Sequence, residues 1–148
     1  MKFLFLVCLL LNYDSNLSVL RGLYLEAPED KTKANQLLAV AEKNSYLGAV
    51  YNGYKGVAKM IMAKHVFNPF NKWNLFNEGK DVLESAIISD PYSLELRYLR
   101  LTIQMNVPSF LGYNKNINQD KEFLNKYINS IKDKELQSLI ENYMAHKN

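Results

Sequence analysis

Two arginines one helical turn apart, Arg97 and Arg100, are the sharpest chemical feature of this 148-residue chain. Guanidiniums at that spacing face the same way on a helix and can share one carboxylate or phosphate through paired N–H donors. The spacing therefore marks a candidate anion clamp. It equally suits a structural ion pair with Asp81, Glu84 or Glu95, because an arginine buried on a helix needs a partner. Catalysis has less to work with. The two histidines, His65 and His146, lie far apart in sequence, and no histidine pair at helical spacing, HExxH or paired CxxC supplies a metal-ligand set. His65, beside Lys64, suits a helix C-terminus, where a cation meets the dipole. Gly53-x-x-Gly56 opens no phosphate loop, since no strand precedes it and no Gly-Lys-Ser/Thr follows. The sequence predicts no catalytic residue, no metal and no cofactor.

Charge also excludes a function. A formal net charge of +3 with a pI near 8.8 is mild, and the lysines are scattered where a nucleic-acid binder would show a basic stripe. The N-terminus is more specific. Met1 and Lys2 precede the apolar run "FLFLVCLLL", after which the polar "NYDSN" begins. That is the plan of a secretory leader, too short to span a bilayer as a helix, and it is expected over residues 1–15. The alternative is that residues 3–11 form a buried element of the domain, for no small-x-small cleavage pair lies between Asn12 and Ser18. Removal of the leader would take the single cysteine, Cys8, with it. Residues 16–148 are expected to form one exported domain, periplasmic or cell-envelope associated, with no membrane span.

The elements that must position these residues all read as helices. "LSVLRGLYLEA" runs to Pro28, "DKTKANQLLAVAEKN" to a turn at Gly48, and "AVYNGYKGVAKMIMAKHVF" to Asn68-Pro69. Leu75 to Ser89 is expected as a fourth helix with Asn74 as its cap, ended by Asp90-Pro91. "SLELRYLRLTIQMN" follows, apolar on two faces and therefore central. Phe123, Leu124, Tyr127, Ile128 and Ile131 stripe a sixth helix, and Leu136, Leu139, Ile140, Tyr143 and Met144 a seventh. No segment alternates as a half-buried strand would. The fold class is all-α, with six to seven helices.

Glycine inside a helix costs about 1 kcal/mol against alanine, so Gly22 and Gly56, which recur 34 residues apart, call for a reason. In the second helices Ala34, Leu38 and Ala41 repeat as Gly79, Leu83 and Ala86, 45 residues on, with Pro91 behind. That distance is one period plus an insertion of 11 residues around "FNPFNKWNLFN". On these residues the chain resembles the tetratricopeptide repeat, a helix–turn–helix unit of about 34 residues. The match covers residues 15 to 93. Ser18 and Asn52 stand where the family has an aromatic residue, and Tyr46 where it has proline. The third helix pair has Leu101, Leu124 and Ile131 at the small positions. "DPYSLELRYLR" and "NVPSFLGY" are also similar to uncharacterised exported helical proteins of bacteria.

The resemblance implies antiparallel helix pairs stacked as a short right-handed superhelix, and a non-catalytic module that receives a protein or peptide partner on the face of the first helices. Projected onto this sequence, that face holds Val57, Met60, Ile61, Tyr98, Thr102 and Met105. Trp73 joins it from the 66–78 insertion, read as an irregular loop that either binds a partner or plugs exposed helix faces. The other expectation is a small-ligand carrier or minor enzyme with a pocket beneath that insertion, lined by His65, Trp73, Arg97 and Arg100. Gly53, outside the repeat pattern, is left to a neighbouring side chain or a bound ligand.

Overall fold

The computed structural model describes residues 15–147, so the expected leader lies outside the described residues except for Ser15. The chain is all-α, with seven α-helices and no strand among the described residues. They are α1 (residues 15–26), α2 (Lys31–Lys43), α3 (Ala49–Lys64), α4 (Pro69–Ser89), α5 (Leu94–Asn106), α6 (Ile117–Tyr127) and α7 (Lys134–His146). Single 3₁₀ turns at Ser45–Leu47, Ser109–Leu111 and Ile128–Ser130 join them.

Side-chain caps set most of the starts. Asp30 accepts from the Thr32 and Lys33 amides, Ser93 from that of Leu96 and Asp133 from that of Leu136. Each such cap is worth about 1 kcal/mol. The start of α4 differs from the sequence expectation. Asn68 accepts from the Phe70 and Asn71 amides, with Pro69 in the first turn. Proline there loses nothing, because its missing N–H would have been an unpaired helix-end donor. The 66–78 insertion is thus largely helical instead of an irregular loop, and Asn74 is inside α4 and not its cap.

The core is built around α3, which packs most extensively on α4 and also against α2 and α5. Its two glycines face different neighbours. A Cβ on Gly56 would meet the Gly79 carbonyl oxygen and the Leu83 nitrogen at 2.7 Å, and one on Gly79 would collide with the Gly56 oxygen. Backbone therefore meets backbone where α3 crosses α4. A Cβ on Gly53 would run into the Leu96 side chain of α5. Gly22, in contrast, is exposed on α1, and a Cβ there would meet nothing within 4 Å. The 34-residue spacing that pairs it with Gly56 has no packing cause at Gly22. The central place expected for α5 is observed: Leu96, Leu99 and Leu101 are fully buried, as are Tyr51, Tyr54 and Val57 of α3.

Candidate functional site

Arg97 and Arg100 do share an anion, and it is the chain's own. Arg100 grips Asp120 of α6 through Nε and an Nη, both at 2.7 Å, and Arg97 adds a third bond to the same carboxylate at 3.0 Å. Asp120 is fully buried. Arg100 also donates to Glu84, which accepts the Tyr113 hydroxyl proton as well. Burial works against the Arg100 charge, but Asp120 and Glu84 outweigh it and hold the guanidinium protonated above its ordinary range. Of the three carboxylates expected as partners, Glu84 is found; Asp120, which completes the arrangement, is not foreseen by the helical spacing. The clamp fastens α5 to α4 and α6 and leaves Arg100 no free fork for an external anion.

A second buried cation, Arg21 on α1, has no local sequence pattern to mark it. It pairs in two-pronged fashion with Glu95 of α5 at 2.8 Å, and reaches Asp133 and Glu135 at the start of α7 at 2.8 and 2.7 Å. Glu95 also accepts the Tyr54 hydroxyl proton. Burial and the adjacent Glu95 charge push the Tyr54 phenol well above its usual range. Among the described residues no cluster of His, Cys, Asp or Glu is placed to hold a metal ion, and no helix is long and apolar enough to cross a membrane.

What remains open is a pocket of about 810 Å³ between α1, α3, α4 and α5, closed on its far sides by residues 107–111 and by α7. Each wall follows from a helix already placed. Tyr24 and Leu25 come from the end of α1, Met60 and Ile61 from α3, and Trp73 and Phe76, one turn apart on α4, from the insertion itself. Tyr98, Thr102 and Ile103 form the α5 side, with Phe110 and Tyr143 beyond. Trp73, Phe110 and Leu25 are 54%, 84% and 58% exposed and make an apolar mouth, where Glu29 pairs with Lys64 at 2.6 Å and Lys72 is exposed beside Trp73.

The floor is phenolic. Thr102 donates its hydroxyl to the Leu99 carbonyl at 2.9 Å, so its oxygen accepts the very close Tyr24 hydroxyl. The Tyr98 ring meets Tyr143 edge-on at 5.8 Å, and Tyr143 oxygen accepts from Asn106 at 3.2 Å. Burial, with smaller contributions from Tyr143 and Glu95, pushes the Tyr98 phenol up to about 12. Burial likewise raises Tyr24 above its ordinary range. Both hydroxyls stay protonated near neutral pH.

Five of the residues expected to bind a partner, Met60, Ile61, Trp73, Tyr98 and Thr102, are brought together in these walls. Val57 is fully buried in the core and Met105 is half-buried outside the pocket. The lining expected for the small-ligand alternative holds only for Trp73. Arg97 and Arg100 are committed to Asp120, and His65 caps α3 with Nε2 2.9 Å from the Ala27 carbonyl oxygen. Tyr24 and Tyr143 are additions to the expected set, and nothing local marks them, since their place in the site depends on where α1 and α7 dock. No family model matches the chain, and neither a curated protein nor a solved structure matches it.

Proposed function

We propose that this protein is a non-catalytic binding module of the cell envelope whose receptor is the pocket beneath α4, with a small, largely apolar molecule as occupant. The observation that carries the reading is the size and apolar lining of the pocket. A cavity of about 810 Å³ walled by aromatic and aliphatic side chains from five helices falls in the range of small-molecule sites, roughly 300–1,000 Å³. Its polar inventory is confined to phenols, one hydroxyl, one amide and a charged rim, which suits holding a ligand better than transforming one. The likeness to the tetratricopeptide repeat belongs to the same proposal. The close approach of Gly56 to Gly79 supports it for the second repeat, and the exposed Gly22 does not support it for the first. Export rests on the apolar leader alone.

A second reading, capture of a protein or peptide partner, is favoured by the exposed aromatics around the mouth. Trp73 and Phe110 there are each more than half exposed, as is Phe70 on the first turn of α4, and such rings are common interface anchors. The test uses N-phenylnaphthylamine, an uncharged apolar fluorophore, with a filled-pocket variant, Ile103→Trp, and a stripped-rim variant, Trp73→Ala/Phe110→Ala. Dye bound by the native protein and lost in a folded Ile103→Trp variant is the expected result. Dye binding indifferent to Ile103→Trp would overturn the pocket as receptor. Partner capture lost in the stripped rim, with dye binding kept, would move the second reading to the front.

A further inference from the structure

The pocket is not uniformly apolar, and the exception specifies its occupant. Tyr98 is only 3% exposed, lines the pocket, and its hydroxyl makes no hydrogen bond among the described residues. No buried side-chain nitrogen or oxygen lacks a partner among the described residues, so this unpaired hydroxyl is not sealed off but opens on the pocket, where an acceptor can reach it. Tyr143 adds a second donor. Its oxygen already accepts from Asn106, which leaves its own proton to give. The two rings meet edge-on at 5.8 Å. Thr102 is already engaged: its proton goes to the Leu99 carbonyl and its oxygen takes the Tyr24 hydroxyl. The site therefore offers two phenol protons, from Tyr98 and Tyr143, at this end.

Charge narrows the class further. The walls below the mouth carry no ionised group; Lys64 and Glu29 at the rim neutralise each other, and Lys72 is exposed to solvent there. An ionised ligand group carried down to Tyr98 would be desolvated with no counter-charge. A carbonyl oxygen has two lone pairs, is uncharged, and is the group that two neighbouring phenols can share.

Resting on the reading of the pocket as receptor, we infer that its ligand is an uncharged, mainly apolar molecule whose carbonyl oxygen accepts hydrogen bonds from Tyr98 and Tyr143. Tyr98 thereby selects for the carbonyl, and the aromatic walls bind the body without regard to it.

Two probes of the same shape separate these contributions, butyrophenone and butylbenzene, which differ by a carbonyl in place of a methylene. Their affinities for the full chain are read from amide chemical-shift titrations on the native protein and on Tyr98→Phe. The variant keeps the ring against Tyr143 and loses no hydrogen bond within the protein, so its melting temperature should be unchanged. The expected result is a ketone-to-hydrocarbon affinity ratio that falls about tenfold in Tyr98→Phe, with butylbenzene itself unaffected. A ratio equal in both proteins, with both probes bound, would overturn the assignment while leaving the pocket as receptor. Neither probe bound by either protein would remove the receptor reading and the inference together.

Discussion

Alanine at Gly56 and alanine at Gly22 should move stability in opposite directions, although both substitutions replace a helical glycine by the best helix former. At Gly22 the new methyl group meets nothing within 4 Å. The gain is the helix propensity alone, about 1 kcal/mol. At Gly56 the same gain is opposed by a Cβ placed 2.7 Å from both the Gly79 oxygen and the Leu83 nitrogen, where ordinary contact begins at 3.4 Å. Those atoms are backbone, so no rotamer change relieves them, and α3 and α4 must separate by roughly 0.7 Å along their most extensive contact. Overpacking of that kind costs about 3 kcal/mol, the upper end of the usual span. The net loss is about 2 kcal/mol, so the two variants differ by about 3 kcal/mol, or roughly 10 °C in Tm for a chain of this size. Urea and thermal denaturation followed by circular dichroism measure both. The double variant Gly56→Ala/Gly79→Ala should cost less than the two singles together, since one separation of the helices accommodates both methyl groups. A Gly56→Ala protein as stable as Gly22→Ala would refute the close approach and the packing cause assigned to this glycine.

Asp120→Ala should lower stability by about 3–5 kcal/mol, because it leaves buried Arg100 without its main counter-ion and frees Arg97; a loss under 1 kcal/mol in a urea titration would show the clamp to be incidental. Phe76→Ala should cost about 3–5 kcal/mol, while Trp73→Ala, at a residue half exposed, should cost under about 1 kcal/mol. Equal losses would mean that both rings belong to the core. Asp133 supplies a pH dependence. Partial burial alone would raise its carboxyl, but the bonds from Arg21 and from the Leu136 amide outweigh that and hold it below the usual range. A depressed folded-state pKa gives stability that is present above the ordinary aspartate value, about 3.9, and lost as pH falls through the lower folded value. Urea midpoints measured from pH 7 to pH 2 should therefore fall at the acid end in the native protein and less steeply in Asp133→Asn.

Much of the fold was legible because chain breaks in this sequence are chemically loud. Pro28, Gly48, Asp90-Pro91 and Pro108 each fall between helices, and the apolar periodicity of α5 and α7 announced which faces are buried. At α4 the pair Asn68-Pro69 reads as a stop for the helix before it. The same pair is a strong start, an amide cap followed by a proline in the first turn, and the amide-rich "FNKWN" then continues as helix because Trp73 and Phe76 share a face. Gly22 misled through spacing, since a period in sequence records no information about what a residue touches. For the candidate site, α3 and α5 could be foreseen to present Met60, Ile61, Tyr98 and Thr102 together, with Trp73 joining from the 66–78 insertion. The other walls could not. Tyr24 and Tyr143 are 119 positions apart, and Asp120 is 20 positions from Arg100, distances over which no helical periodicity carries.

The reach of Arg21 to Asp133 and Glu135, across 112 and 114 positions, makes the chain a closed circuit. In an open helical array each unit touches only its neighbours, so units are gained or lost at an end with little consequence for the others. Here α1 holds α7, and Ser18 repeats the tie with a 2.8 Å bond to Glu135. A helix pair inserted ahead of α7 would carry both carboxylates away and leave the buried guanidinium with Glu95 alone. Deleting α7 would remove Glu135 from Arg21 and Tyr143 from the pocket. Charge thus ties α1 to α7, and the two should unfold in one transition instead of fraying separately.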